Sequence, residues 1–286
     1  MEINRNVLLP NLVTVGNGIC GFWALAHLFK AEWKGPGPLD FVDPTVFSTA
    51  AWLILLGMVF DVFDGKVARM SGGESALGAQ LDSLCDLVTF GVAPAVLMLR
   101  LSVSDSPQWQ RVVWFFSLAY FLCAMFRLAR FTAENEPDDT AHVAFKGLPS
   151  PGAAGCVASL VILCWYLVAR DKIELRWLAT LVAPEVLQVV ALGIVRVLPP
   201  LGLLLGFAMV SSQLRFDHMG SWLFGRKHGF DFYVYLIFGG IMAALIPEVI
   251  IPLLFLGYLV TTPLKSIYRL CVPVRQGRAG LNNPQD

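Results

Sequence analysis

Four aspartates define the chemistry open to this sequence. In the stretch Asp61-Val62-Phe63-Asp64-Gly65-Lys66-Val67-Ala68-Arg69, followed by Gly78, Asp82 and Asp86, carboxylates recur within otherwise apolar sequence. An ionised side chain at membrane depth is costly, and its presence there points to function. Asp61 and Asp64 stand three apart and Asp82 and Asp86 four apart, so each pair shares one helix face. If the two helices are antiparallel neighbours joined through residues 65–78, all four acids converge on one small volume. Such a cluster repels itself by several kcal/mol unless protons or cations intervene. Oxygen-only ligands suit Mg²⁺ or Mn²⁺, whose natural companion is a di- or triphosphate. Gly65 and Ala68 remove bulk where a ligand could approach, and Arg69 offers a fork suited to phosphate oxygens. Helix capping and pairing with Lys66 and Arg69 do not account for the pattern, because two bases cannot neutralise four acids.

The elements that must hold these acids are membrane helices. Of the 286 residues 56% are hydrophobic and 15% charged, and mean hydropathy is +0.65, a balance that a water-exposed surface does not accommodate. Apolar runs long enough to span or nearly span a bilayer fall at about 12–29, 44–64, 79–99, 112–131, 152–169, 177–195, 198–214, 231–246 and 248–264. Nine crossings would put the polar groups at 61–86, 127–151 and 213–218 on different sides. The run at 177–195 breaks the parity: it contains Pro184, Glu185 and Gln188, is flanked by Arg176 and Arg196, and precedes Pro199-Pro200. It is expected to be re-entrant or peripheral, leaving eight spans in an all-α polytopic membrane protein. With the amino terminus in the cytoplasm, 13 of the 21 Lys and Arg residues lie inside and 8 outside, in the sense of the positive-inside rule.

The remaining composition excludes other classes. Formal net charge is zero and no basic tract stands out, so nothing points to nucleic acid. The six cysteines form no CxxC pair and five lie in apolar stretches, which predicts inert thiols. The four histidines lack zinc-site spacing. The run at 12–29 lacks a small-x-small cleavage site and reads as the first membrane helix. Residues 133–146 form the longest polar connection between spans, and 272–286 are expected to be a disordered tail.

The acidic stretch matches DxxDGxxARx8GxxxDxxxD at every specified position and thereby resembles the CDP-alcohol phosphotransferase family. The resemblance implies a six-helix membrane core that binds a cytidine diphosphate head between helices two and three, with one or two divalent ions on the pyrophosphate. It assigns Asp61, Asp64, Asp82 and Asp86 to the metal site and Asp86 to the general base as well. Asp61, Gly65, Ala68, Arg69, Gly78 and Asp82 would contact the CDP group. The catalytic domain is expected over 1–216, with a transmembrane hairpin over 217–271. Family members are often homodimers.

The acceptor alcohol must be read elsewhere. Residues 9–22 (LPNLVTVGNGICGF), 82–94 (DSLCDLVTFGVAP), 126–131 (FRLARF) and 145–155 (FKGLPSPGAAG) are similar to those of the membrane-type phosphatidylserine synthases within the family. This implies transfer of a phosphatidyl group from CDP-diacylglycerol to L-serine at the cytoplasmic face of the cell membrane. Arg127, Arg130 and Lys146 could then hold a lipid phosphate or an amino-acid carboxylate. Residues 147–151 (GLPSP) would shape the pocket wall, and Asn11 and Thr14 could add polar contacts or simply start a helix. The alternatives are transfer to glycerol phosphate or inositol phosphate, which asks more of the three cations, and a cation transporter. A transporter predicts acids dispersed over several spans, whereas here they crowd at the end of one helix pair.

Overall fold

The computed structural model describes residues 5–35, 39, 43, 45–71, 75–104, 106–134, 145–168, 183–212, 215–216 and 230–271. Helix α1 (Arg5–Phe29) and helix α2 (Thr45–Ser71) pack along their length. The third span has three parts: α3 (Ala76–Asp86), a π-helical turn (Leu87–Val92) and α4 (Ala93–Leu101). Its start is set by Ser75, whose side-chain oxygen accepts the Gly78 N–H at 3.0 Å and satisfies one of the free donors of the first turn. Helix α5 (Pro107–Glu134), strand β1 (Phe145–Lys146), helix α6 (Ser150–Val168), helix α7 (Pro184–Val210) and strand β2 (Arg215–Phe216) follow, then helices α8 (Phe230–Leu245) and α9 (Pro247–Cys271).

Among the described residues, six stretches are long and apolar enough to cross a bilayer: Pro10–Phe29, Thr45–Val67, Leu77–Leu101, Pro107–Ala133, Ser150–Val168 and Glu185–Val210. The chain is therefore a multi-pass, helical membrane protein, and among the described residues only one two-residue ladder departs from helix and connection. Large apolar side chains such as Phe22, Trp114, Phe115, Val189 and Phe207 are exposed on the bundle exterior, as hydrocarbon allows. Inside, small residues let helices approach. Ala153, Ala154, Gly155 and Ala158 on α6 are buried, and the Phe255 ring of α9 packs directly over Gly155.

Residues 184–195 are neither re-entrant nor peripheral; they form the first half of α7, continuous with 198–210 through Pro199-Pro200. Proline at 199 has no N–H to offer the carbonyl four residues back, at Val195. The Ser102 hydroxyl fills that role, donating to the Val195 oxygen at 3.1 Å. Of the polar residues that suggested a break, Glu185, Gln188 and Arg196 lie on the exposed side, while Ala191, Val195 and Leu198 are buried. The rest of the run, at 177–182, lies outside the described residues, as does the tail at 272–286.

Merging the two runs keeps the parity that the polar segments require. The end of α2, the start of α3, the end of α5, the start of α6 and the end of α7 all meet at one end of the bundle. Direct contacts join them: Ser83 and Thr132 hydroxyls at 3.2 Å link α3 to α5, and β1 pairs antiparallel with β2, Phe145 opposite Phe216 and Lys146 opposite Arg215. Gly147 then turns the chain into α6 at φ +90°, a left-handed conformation that glycine adopts without strain. The next amide, Leu148 N–H, donates to the Ala208 carbonyl at 2.9 Å.

Candidate active site

The spacing of Asp61, Asp64 and Asp82 brings them together as the helical pattern requires. One oxygen from each lies within 4.8 Å of the others, so the end of α2 and the start of α3 form a single carboxylate cluster. Asp64 is only 5% exposed, and Asp61 and Asp82 are half-buried. The Thr14 hydroxyl and the Gly65 backbone N–H lie beside the Asp64 carboxylate. Two oxygens of the cluster, Asp64 Oδ2 and Asp82 Oδ1, are buried with no hydrogen-bond partner. Buried carboxylate oxygens without donors are expensive, and a hard divalent cation is the group that satisfies three converging oxygens at this spacing. The donor set thus fits such an ion.

Asp86, one turn deeper, is held differently. It is 8% exposed, and its Oδ1 accepts the side-chain N–H of Asn17 from α1 at 2.8 Å. Asn17 itself is fully buried, and its backbone oxygen accepts the Thr89 hydroxyl at 2.9 Å. Thr89 belongs to the π-helical turn, which is pinned from its other side by the Tyr120 hydroxyl donating to the Phe90 oxygen at 3.0 Å. Asp86 therefore follows from its own spacing, but its clamp comes from two other spans.

The residues expected around the nucleotide are placed unevenly. Gly65 is exposed, and nothing lies within 4 Å of where its side chain would begin, which leaves open space beside the acids. Gly78 stands within 3.0 Å of Asn11 Oδ1 and Ser75 Oγ by the same measure, a tight position. The side chains of Ala68 and Arg69 lie outside the described residues, although both sit within α2. Thr14 lies inside α1 and not at its start: its hydroxyl donates to the Pro10 carbonyl at 3.1 Å, a back-bond within the helix, and it also faces Asp64.

The basic residues form a second corner of the same end. Arg127 donates to Ser150 Oγ at 3.0 Å, bridging α5 and α6, and stands within electrostatic reach of Asp61 and Asp86. Its Nε is buried without a partner. Arg130 donates to the Val210 carbonyl at 3.4 Å, at the end of α7. Lys146 is paired through the backbone with Arg215; the side chains of both lie outside the described residues. Sequence reasoning passed over Asn17, Thr89 and Ser150. The available signal for Asn17 was an amide in the middle of an apolar run, a costly placement that asks for a buried partner.

The five described cysteines, Cys20, Cys85, Cys123, Cys156 and Cys164, are all free.

The sequence is similar to those of known proteins. The sequence pattern of the CDP-alcohol phosphatidyltransferase family matches residues 7–210. Among similar proteins is a CDP-diacylglycerol--serine O-phosphatidyltransferase of Saccharomyces cerevisiae, 35% identical over 162 residues, which are 54% of this chain and 54% of that protein. The Bacillus subtilis protein of the same name is 34% identical over 152 residues, covering 53% of this chain and 74% of its own. That of Mycobacterium tuberculosis is 40% identical over 160 residues, 54% of this chain and 49% of its own. The matched region thus spans about half the length of the yeast and mycobacterial relatives and three quarters of the Bacillus one. With the family pattern running from the first helix to the end of the sixth span, this chain belongs to the CDP-alcohol phosphatidyltransferase family.

Proposed function

We propose that this protein transfers the phosphatidyl group of CDP-diacylglycerol to the hydroxyl of L-serine, giving phosphatidylserine and CMP. The observation that carries the reading is the carboxylate cluster of Asp61, Asp64 and Asp82, with two orphaned oxygens and open space at Gly65, in a chain whose relatives bear the corresponding name.

In this reading Asp61, Asp64 and Asp82 hold Mg²⁺ or Mn²⁺, with Asp86 completing the set. The ion, when bound, draws charge from the pyrophosphate and makes CMP a better leaving group. Gly65, Ala68, Arg69 and Gly78 line the CDP pocket beside Asp61 and Asp82. Asp86 takes the proton of the serine hydroxyl, whose oxygen bonds to the lipid-side phosphorus as the phosphorus–oxygen bond to CMP breaks. No separate side-chain nucleophile is required, so transfer is direct. Arg127, Arg130 and Lys146 hold the serine carboxylate or the lipid phosphate. The catalytic unit extends over 1–216, with 217–271 an added hairpin, and the site faces the cytoplasm at the cell membrane.

The test is CMP release by the purified protein from CDP-diacylglycerol, with serine, glycerol phosphate or inositol phosphate offered in competition, with and without chelator. Serine-dependent release that is abolished by chelation is expected. Preference for a phosphate-bearing alcohol would overturn the acceptor, and release indifferent to chelator would overturn the metal site.

A further inference from the structure

We infer that Asn17 is the positioning residue for Asp86: its amide holds one carboxylate oxygen so that the other is aimed at the attacking alcohol. The inference rests on the transferase reading and extends it to the first helix, outside the acidic motif.

An asparagine in the interior of a membrane helix needs a reason. Asn17 is fully buried, yet its amide is only half satisfied: Nδ2 donates to Asp86 Oδ1 at 2.8 Å while Oδ1 has no partner. An unpaired buried carbonyl oxygen lowers stability, so packing alone would favour an apolar residue here. What the amide supplies is a donor to a carboxylate, which only accepts, and this sets which way the amide must face. The slot around it leaves little alternative. A methyl group at Gly57 would come within 2.9 Å of Asn17 Oδ1 and 2.6 Å of Thr89 Cγ2, so α2 presents bare backbone where the amide lies. The Thr89 hydroxyl, from the π-helical turn just after Asp86, donates to the Asn17 backbone oxygen at 2.9 Å. Backbone and side chain of one residue are therefore both tied to the span that carries Asp86.

This separates Asp86 from the other three acids. Asp61, Asp64 and Asp82 converge on one another, whereas the only side-chain hydrogen bond described for Asp86 comes from another helix. A general base must present a defined lone pair to the proton it removes, and displacement by about 1 Å can cost about 100-fold in rate. Asn17 therefore acts through Asp86 and need not touch substrate.

The experiment compares wild type, Asn17→Leu and Asn17→Asp in CMP release, scored per site that binds CDP in the presence of Mn²⁺. Both variants keep the approximate size of the side chain and remove the N–H donor; Asn17→Leu leaves nothing in its place, whereas Asn17→Asp sets a second carboxyl beside Asp86, and a proton shared between them occupies the lone pair that the base needs. The expected result is a kcat per CDP-binding site lower by about 100-fold, with the KM for serine changed by less than about threefold. A merely structural amide predicts fewer CDP-binding sites but unchanged kcat per site, and that outcome would overturn the proposal. If Asn17→Leu leaves no CDP-binding site, Asn17→Ser is scored by the same criterion. Wild-type protein that releases CMP with another alcohol overturns the serine reading alone, and Asn17 is then scored on that alcohol. Wild-type protein that releases CMP with none overturns both.

Discussion

The acidic corner and the basic corner of this site occupy the same end of the bundle but are built in opposite ways. Asp61 and Asp64 come from the end of one helix and Asp82 from the start of the next, and regular spacing turns these three toward each other. Arg127 and Arg130 come from the end of α5, Lys146 from a strand before α6, and Arg215 from a strand after α7. What unites the basic group is tertiary: a bond to Ser150, a bond to the Val210 carbonyl, and a two-residue ladder. A corner encoded in spacing tolerates changes elsewhere, and a corner assembled from distant pieces depends on each joint. The two should fail differently when perturbed.

The largest effect is expected where the acids share one ligand. Asp82→Asn removes a charge from the cluster without changing its shape, and CMP formation should fall by about 1000-fold or more, equivalent to about 4 kcal/mol of transition-state stabilisation. Mn²⁺-dependent CDP binding should be lost with it, while thermal unfolding without metal should stay the same or rise, since like-charge repulsion is relieved. Retained metal-dependent CDP binding would show that Asp82 is not part of the ion site.

Next in size is Arg127→Ala. It removes a cation within electrostatic reach of Asp61 and Asp86 and leaves Ser150 Oγ without its donor. A loss of about 100-fold in kcat/KM for serine is expected, in line with deleting one partner of a charge-assisted contact in a desolvated site. Metal-dependent CDP binding should survive, and this divides the two corners. If CDP binding disappears as well, Arg127 belongs to the nucleotide pocket and the division fails.

The same contrast explains what could be read from sequence. The acids, their shared faces and the need for a cation follow from period and composition, and the structure places Asp61, Asp64 and Asp82 accordingly. The first five spans were equally legible, as long apolar runs bounded by charge or turn residues. The sixth was misjudged because Pro199-Pro200 signals a break to any local rule. The signal was countermanded by Ser102, nearly a hundred residues away, which satisfies the freed Val195 carbonyl. Asn17 escaped for the same reason: its role depends on a partner 69 residues distant. Local pattern predicts local geometry, and it is silent about hydrogen bonds that close between spans.

Gly147→Ala tests one joint of the basic corner without removing a charge. The new methyl group would collide with the Met209 carbonyl and approach the Ser211 carbonyl to 3.1 Å, at a φ that side chains rarely adopt. A loss of about 1–3 kcal/mol is expected, read as a lower unfolding temperature in detergent. The displaced 145–148 segment should raise the KM for serine by about tenfold. CDP binding with Mn²⁺ should change little, because the contacts of this joint are with Ala208, Met209 and Ser211 around the end of α7. Equal damage to both functions would mean that the two corners are one mechanical unit.

The smallest effect is expected at Ser150, and it is informative for that reason. Its hydroxyl is buried and accepts from Arg127 at 3.0 Å at the start of α6. Ser150→Ala deletes an acceptor but leaves the guanidinium, its charge and its proximity to Asp61 and Asp86 in place. If Arg127 acts mainly as a charge, turnover should fall by no more than about threefold, within the range of one neutral hydrogen bond. If Arg127 must present its fork at a fixed angle to a carboxylate or phosphate, the freed side chain can rotate and the loss should approach that of Arg127→Ala. Measuring the KM for serine in both variants therefore separates attraction from orientation, the quality that an assembled corner supplies and bare spacing does not.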